Sequence, residues 1–286
     1  MSHLKIFIEL TRLNKPIGFM LLFWPCSWGL AFAYTVTLNF NLFFYYLILF
    51  FLGSVLMRSA GCIVNDIVDK DFDKKVERTK NRPIASGKIT VKHSIIYVLI
   101  LCLLALMILL QFNLFTIILG MSSMVLAFSY PFMKRFTYWP QLFLGITFNW
   151  GIIMAWVAVN NNITQEIIVL YISAIFWTLG YDTIYGAQDM SEDEIIGLKS
   201  TSIKFKENML LFVSVCYLVT MLSILFLFVN FFGLNLFTFF LLVFFLSLIY
   251  QLLRLKENNS KNYLTLFKFN NISGLLLFIS LCSINL

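Results

Sequence analysis

Nine apolar runs, each about as long as a bilayer is thick, follow one another along this chain, at about 16 to 37, 42 to 64, 93 to 111, 114 to 132, 141 to 160, 167 to 187, 208 to 231, 234 to 253 and 267 to 285. Runs of about 18 or more apolar residues cross the hydrocarbon core as helices. The expectation is therefore an all-α polytopic membrane protein with nine transmembrane helices. Only 12% of the residues are charged, against about 25% in soluble proteins, so the lipid bilayer is the solvent of this chain.

A formal charge of +7 would point to nucleic acid in a soluble protein. Here the placement of the cations matters more than their sum. Every Lys and Arg except Arg58, which lies inside the second run, precedes the first run or falls in or at the edge of alternate gaps, Lys268 being at the very start of the ninth run. The loops near Asn39, Asn113, Asn160 and Phe232 carry none. By the positive-inside rule the N-terminus and the basic loops are cytoplasmic and the C-terminus is on the far side; no nucleic-acid partner is expected. Lys261 and the polar segment from Glu257 to Asn262 read as part of an ordinary basic loop. Cys26, Cys62, Cys102, Cys216 and Cys282 fall within the runs and read as small buried hydrophobes. His3 and His93 sit at helix edges without partners. The first run resembles a signal peptide superficially, but it is long for one and eight more follow, so it reads as a retained helix. Pro16 can open that helix at its first position, and Pro25 is expected to kink it.

The chemistry concentrates at the end of the second run, RSAGCIVNDIVDKDFDKKVERTKNRPIASGK, residues 58 to 88. On one helix through Asp73, Asn65 and Asp69 fall within about 20° of Arg58, and Asp73 follows one turn on. Asp66 lies at the flank of this stripe. Like charges at helical i, i+4 spacing repel, and Mg²⁺, which takes one or two carboxylates plus phosphate oxygens, is a natural compensation. Arg78, Lys80 and Arg82 follow directly and can donate to phosphate. The same loop could be basic for orientation alone.

A second stripe leaves the sixth run in YDTIYGAQDMSEDEIIGLKS. Asp182, Asp189 and Asp193 repeat the spacing of Arg58, Asn65 and Asp69, Tyr185 lies one turn from Asp182, and Lys199 follows the acids. Acids at the end of a membrane span by default mark function. The two acidic ends, four runs apart, point to a parallel repeat of helices one to four and five to eight. Tyr130, Lys134 and Arg135 in SYPFMKRFTYWPQ converge on the same side, and Arg12 and Lys15 precede the first run there. Topological anchoring explains Arg12 and Lys15 as well as anion binding does.

Two acidic stripes with cations around them form a site for a diphosphate, whose developing charge metals and fixed cations stabilise. A diphosphate with a hydrocarbon tail would enter from the bilayer, which points to a prenyl diphosphate. A membrane transporter would put its charges near the midplane, and a CDP-alcohol phosphotransferase would need Gly where Lys70 stands.

NDIVDKDFD resembles the N-D-x-x-D-x-x-x-D motif of the UbiA superfamily of intramembrane prenyltransferases, and DMSED, Asp189 to Asp193, is similar to its second motif. AGCIVND, ERTKNRPIASG, SYPFMKRFTYWPQ, YDTIYGAQD and GLKSTSI resemble the 4-hydroxybenzoate polyprenyltransferase branch in particular. Together they cover about Arg12 to Ile203. Ser191 and Glu192 stand where acids are often denser, without removing either expected ligand. The resemblance implies one domain over 1-286, with nine helices around a central cavity and a cytoplasmic cap. It further implies transfer of a polyprenyl chain from polyprenyl diphosphate to the ring of 4-hydroxybenzoate in ubiquinone synthesis, in a membrane such as the bacterial inner membrane. Haem O synthase and the menaquinone enzyme are the neighbouring alternatives. Carried over, Asn65, Asp69 and Asp73 would hold one Mg²⁺ and Asp189 and Asp193 another. Arg78, Arg82 and Lys199 would hold diphosphate, with Tyr130, Lys134 and Arg135 near the reacting end and Arg12 and Tyr185 alongside. Asp182 or the departing diphosphate would take the ring proton.

Overall fold

The computed structural model describes residues 3–257 and 262–285. Lys261 and most of the Glu257 to Asn262 segment lie outside the described residues. A short helix α1 (His3–Thr11) precedes α2 (Ile17–Thr37) and α3 (Phe40–Val68); one turn of helix, α4 (Lys70–Asp73), leads into a loop. Then come α5 (Val91–Leu109), α6 (Leu114–Phe136), α7 (Pro140–Asn160) and α8 (Gln165–Gly186). Two short pieces, α9 (Met190–Ile195) and α10 (Thr201–Lys204), lead to α11 (Met209–Leu227), α12 (Leu236–Lys256) and α13 (Tyr263–Cys282). Among the described residues nine helices, namely α2, α3, α5 to α8 and α11 to α13, are long and apolar enough to cross a membrane. This is the expected all-α polytopic architecture.

The uncharged loops are built from helix caps. Asn39, Asn113 and Asn235 accept hydrogen bonds from the backbone N–H groups of Leu42, Thr116 and Thr238, satisfying donors that the first turn of a helix leaves free. Leu38 and Asn161 close α2 and α7 in the left-handed conformation, at φ 52° and 53°. α2 runs unbroken through Pro25. Pro16 sits just before the first helical residue, not on it. His93 has a partner after all: its Nδ1 lies 2.8 Å from Thr90 Oγ1 in the first turn of α5.

Neighbours in the ring are α2 with α3, α3 with α5, α6 with α7, α7 with α8, α8 with α11, α11 with α12, α12 with α13 and α13 with α2. The sequential pairings α2 with α3, α3 with α5 and α5 with α6 recur four spans later as α7 with α8, α8 with α11 and α11 with α12. α2 and α7, equivalent in that repeat, cross in the middle and approach through glycines. A Cβ on Gly29 would collide with the Ile152 carbonyl oxygen, and one on Gly151 with Cys26 Sγ.

The two halves are filled differently. Between α8, α11, α12 and α13 the interior is solid: Trp177 donates to Asn270 (2.9 Å), Asn270 and Tyr217 donate to Gln251 Oε1 (2.8 Å each), and Ser247 donates to Ser273 (2.8 Å). Between α2, α3 and α5 to α8 a cavity remains, where α5 and α6 touch each other only slightly.

Candidate active site

The helix carrying the first acidic stripe does not continue through Asp73. α3 stops at Val68, Asp69 takes φ −94° and ψ 4°, and α4 restarts from it. The second stripe is broken in the same way: α8 ends at Gly186, and Asp189, at φ −107° and ψ 5°, opens α9. Each break turns the last acids across the mouth of the cavity. Asn65, Asp69, Asp73, Asp189 and Asp193 all line it.

The same wall carries Arg12, Arg78, Arg82, Lys134 and Lys199, and deeper in lie Arg58, Tyr130, Tyr181, Asp182 and Tyr185. The cations are already engaged. Arg78 donates to Asp189 from Nε (2.7 Å) and Nη2, and to Tyr185 Oη (3.4 Å). Arg82 Nη1 reaches both oxygens of Asp73 (3.0 and 2.9 Å) and Asp66 Oδ1 (3.1 Å). Lys134 pairs with Asp69. Burial raises the Asp69 carboxyl above its ordinary range, against the pull of Lys134. Burial and neighbouring Asp189 push Asp193 up to about 6.

Lys199 lines the cavity with its ammonium over the Tyr138 ring, and its backbone N–H donates to the Lys134 carbonyl at 2.8 Å, joining the two basic loops. Arg135 does not line the wall; it donates to the Val68 carbonyl (2.7 Å) and stacks on Phe72 and Phe132, bracing the end of α3, with its Nη2 3.9 Å from Asp69 Oδ1. Arg12 occupies the left-handed conformation at φ 57° beyond the end of α1, a place usually taken by Gly because other residues cost about 1 kcal/mol there.

Arg58, left without a role by its sequence position, lies over the Phe148 ring and beside Gly18, with its Nε buried and unbonded. It is close enough to Tyr130 and Asp182 to interact electrostatically. Its signal was already in the sequence: it is a cation well inside an apolar run, away from the basic loops. Phe148, Tyr181 and Phe267 carried no such signal, because an aromatic residue within a span looks the same whether it faces lipid or ligand.

Below the charged mouth the cavity is apolar; mouth and apolar part together measure about 740 Å³, within the roughly 300–1,000 Å³ of small-molecule sites. Leu99, Leu103 and Met121 line it and are also exposed on the outer surface, so it opens sideways through the α5–α6 seam. At its far end, Gly120 faces Leu109 and Met154. Among the described residues no three His, Cys, Asp or Glu side chains gather at one point. The two acidic turns thus offer separate, partial ligand sets.

A polytopic helical protein with two acidic, cation-lined turns over a laterally open apolar cavity defines a class that meets an anionic headgroup and its hydrocarbon tail together. The chain belongs to the UbiA prenyltransferase family, whose model matches residues 22–272. It is 49% identical to the mitochondrial 4-hydroxybenzoate polyprenyltransferase of Arabidopsis thaliana over 203 residues, 71% of this chain and 49% of that protein. Against the Bos taurus protein of the same name, identity is 41% over 285 residues, covering 99% of this chain and 76% of the relative. The chain spans about half the length of most of the curated relatives it matches. Among solved structures it resembles the apo UbiA homologue of Aeropyrum pernix K1, with TM-score 0.74 and 22% identity over 88% of this chain and 94% of that one. It also resembles the Archaeoglobus fulgidus homologue bound to DMAPP and Mg²⁺, with TM-score 0.66 and 16% identity over 98% and 99% of the two chains.

Proposed function

We propose that this protein, acting as one domain over 1-286, transfers a polyprenyl group from polyprenyl diphosphate to the ring carbon ortho to the hydroxyl of 4-hydroxybenzoate, releasing diphosphate, in ubiquinone synthesis. The observation that carries the proposal is the joining of both acidic turns and a ring of cations to one apolar cavity that opens to lipid. The acceptor comes from the names of the relatives. Those relatives are mitochondrial by name, which weighs against confining the protein to a bacterial inner membrane. The distribution of Lys and Arg supports a topology with the N-terminus, the active-site loops and their cap on the cytoplasmic side, or its organellar equivalent.

Asn65, Asp69 and Asp73 on one turn, and Asp189 and Asp193 on the other, are hard oxygen donors that fit Mg²⁺, which completes its shell with phosphate oxygens and water. Asp69 Oδ1, buried and without a hydrogen-bond partner, is an acceptor such an ion would satisfy. When bound, the metal stabilises charge on the departing diphosphate.

Arg12, Arg78, Arg82, Lys134 and Lys199 bind the diphosphate oxygens, Arg78 and Arg82 with forked donors. The apolar wall takes the prenyl chain and keeps water from the allylic carbon. Tyr130, Tyr181 and Tyr185 surround the reacting end with aromatic faces that favour a positive charge. Arg58 is the cation at the depth of the acceptor and pairs with its carboxylate, setting the ring beneath the allylic carbon. The ring carbon attacks as the carbon–oxygen bond to diphosphate breaks, and Asp182, on the same wall, takes the ring proton.

Purified protein in lipid nanodiscs, offered Mg²⁺, 4-hydroxybenzoate and prenyl diphosphates of several lengths, should yield a ring-prenylated acid by mass spectrometry. Prenylation of a naphthoate or of haem in preference to 4-hydroxybenzoate would overturn the choice of acceptor.

A further inference from the structure

The first motif carries two more acids, of which Asp71 is exposed and pairs with Lys74 at 3.1 Å; the other is enclosed. Asp66 lies between Asn65 and Asp69, is 1% exposed, and is absent from the cavity wall. Its Oδ1 accepts from Arg12 Nη2 at 2.6 Å and from Arg82 Nη1 at 3.1 Å. These two arginines come from separate parts of the chain, one from the turn after α1 and the other from the loop after α4, and both line the cavity. Without a counter-ion two guanidinium groups so placed would repel and separate. A carboxylate behind them holds them together and takes only one of the five donors each guanidinium carries. The left-handed backbone of Arg12 fits the same purpose, because Gly would be cheaper at that turn but would bring no guanidinium to Asp66. Asp73 touches the pair only through Arg82.

We infer that Asp66 is a positioning residue that holds Arg12 and Arg82 side by side as a preset cation pair for the diphosphate, and that it does not bind metal. The inference rests on the proposed function of this cavity. It separates the acids of one motif into two tasks: Asp69 and Asp73 face the cavity, while Asp66 faces the cations that line it.

The test uses the full-length protein in nanodiscs with inorganic pyrophosphate and Mg²⁺ as probes, so it does not depend on the acceptor. Loss of a charge-assisted contact should weaken pyrophosphate binding by about tenfold or more in Asp66→Asn. The Mg²⁺ concentration for half-maximal pyrophosphate binding should stay within about twofold, whereas Asp69→Asn should raise it. In an Arg12→Ala background, Asp66→Asn should add less than about threefold, since both changes remove the same arrangement. Unchanged pyrophosphate affinity in Asp66→Asn, a rise in its Mg²⁺ requirement matching that of Asp69→Asn, or independent multiplication with Arg12→Ala would each overturn the inference. If Asp66→Asn does not fold, Asp66→Glu, which keeps the charge but displaces the arginines by a methylene, should weaken pyrophosphate by about threefold or more; unchanged affinity there overturns it. Failure of the wild type to prenylate any acceptor while these binding results hold would count against the proposed reaction and not against the role of Asp66.

Discussion

Arg78 grips Asp189 with two of its nitrogens, so the loop that follows α4 is fastened to the turn that opens α9. Two acidic motifs far apart in the chain thereby become one mouth. The pair is half-exposed on the arginine side, and its Coulomb energy is accordingly modest. Burial works against the Arg78 charge, yet the hydrogen bonds it donates to Asp189 and Tyr185 hold its pKa above the ordinary arginine value.

Arg78→Ala should therefore cost about 1 kcal/mol of stability or less but raise the KM for prenyl diphosphate by about tenfold or more, as expected for loss of a forked anion contact. Steady-state kinetics beside a melting curve checks both. A large drop in Tm with unchanged KM would make Arg78 a structural strut.

Lys134 and Asp69 form a more deeply placed pair, with the Asp69 side chain 1% exposed. Lys134→Met leaves that carboxylate only the longer contact to Arg135 at 3.9 Å and should destabilise the protein by about 3 kcal/mol or somewhat less, the usual consequence of removing one partner. Adding Asp69→Asn should restore much of the stability and none of the activity. Chemical unfolding in detergent of the two single variants and the double variant measures the coupling, and purely additive losses would contradict it.

Gly29 and Gly53 make opposite predictions. Gly29→Ala drives a methyl against the Ile152 backbone, which cannot yield as a side chain would, and should cost about 1–3 kcal/mol or more. At Gly53 no atom lies within 4 Å of an added Cβ. Gly53→Ala should be neutral or stabilise α3 by up to about 1 kcal/mol. Paired melting curves decide, and equal Tm values for the two variants would mean that α2 and α7 are not this close.

Gly120 stands at the far end of the cavity, where a Cβ added to it would lie 2.6 and 2.8 Å from the two terminal methyls of Leu109. Gly120→Phe should shorten the longest prenyl diphosphate accepted while sparing transfer of short ones. Competition among donors of graded length, read by mass spectrometry, would show an unchanged length profile if the tail runs elsewhere.

Chelation by EDTA should stop transfer without unfolding the chain, because Asp69, Asp73 and Asp189 each already have a cation partner. Added Mg²⁺ should restore turnover. Circular dichroism alongside the assay separates the two effects, and unfolding on chelation would assign the metal a structural role.

The sequence alone determined the nine spans, the side on which the cations gather, and the two acidic turns, because lipid tolerates few ways to cross it and charge is conspicuous where water is absent. It also contained Arg58, conspicuous for the same reason. What only the tertiary structure decided is how those charges are shared. Asp66 and Asp69 lie three residues apart in one motif, yet one faces two arginines behind the wall and the other lines the cavity. Arg135 follows Lys134 directly but braces a carbonyl of α3 and stands behind Asp69 instead of lining the cavity. The breaks at Asp69 and Asp189 also escaped helical periodicity, since a turn of a few degrees of freedom redirects side chains without altering their spacing. Helical period assigns a residue to a face; which groups oppose that face depends on the packing of the other helices.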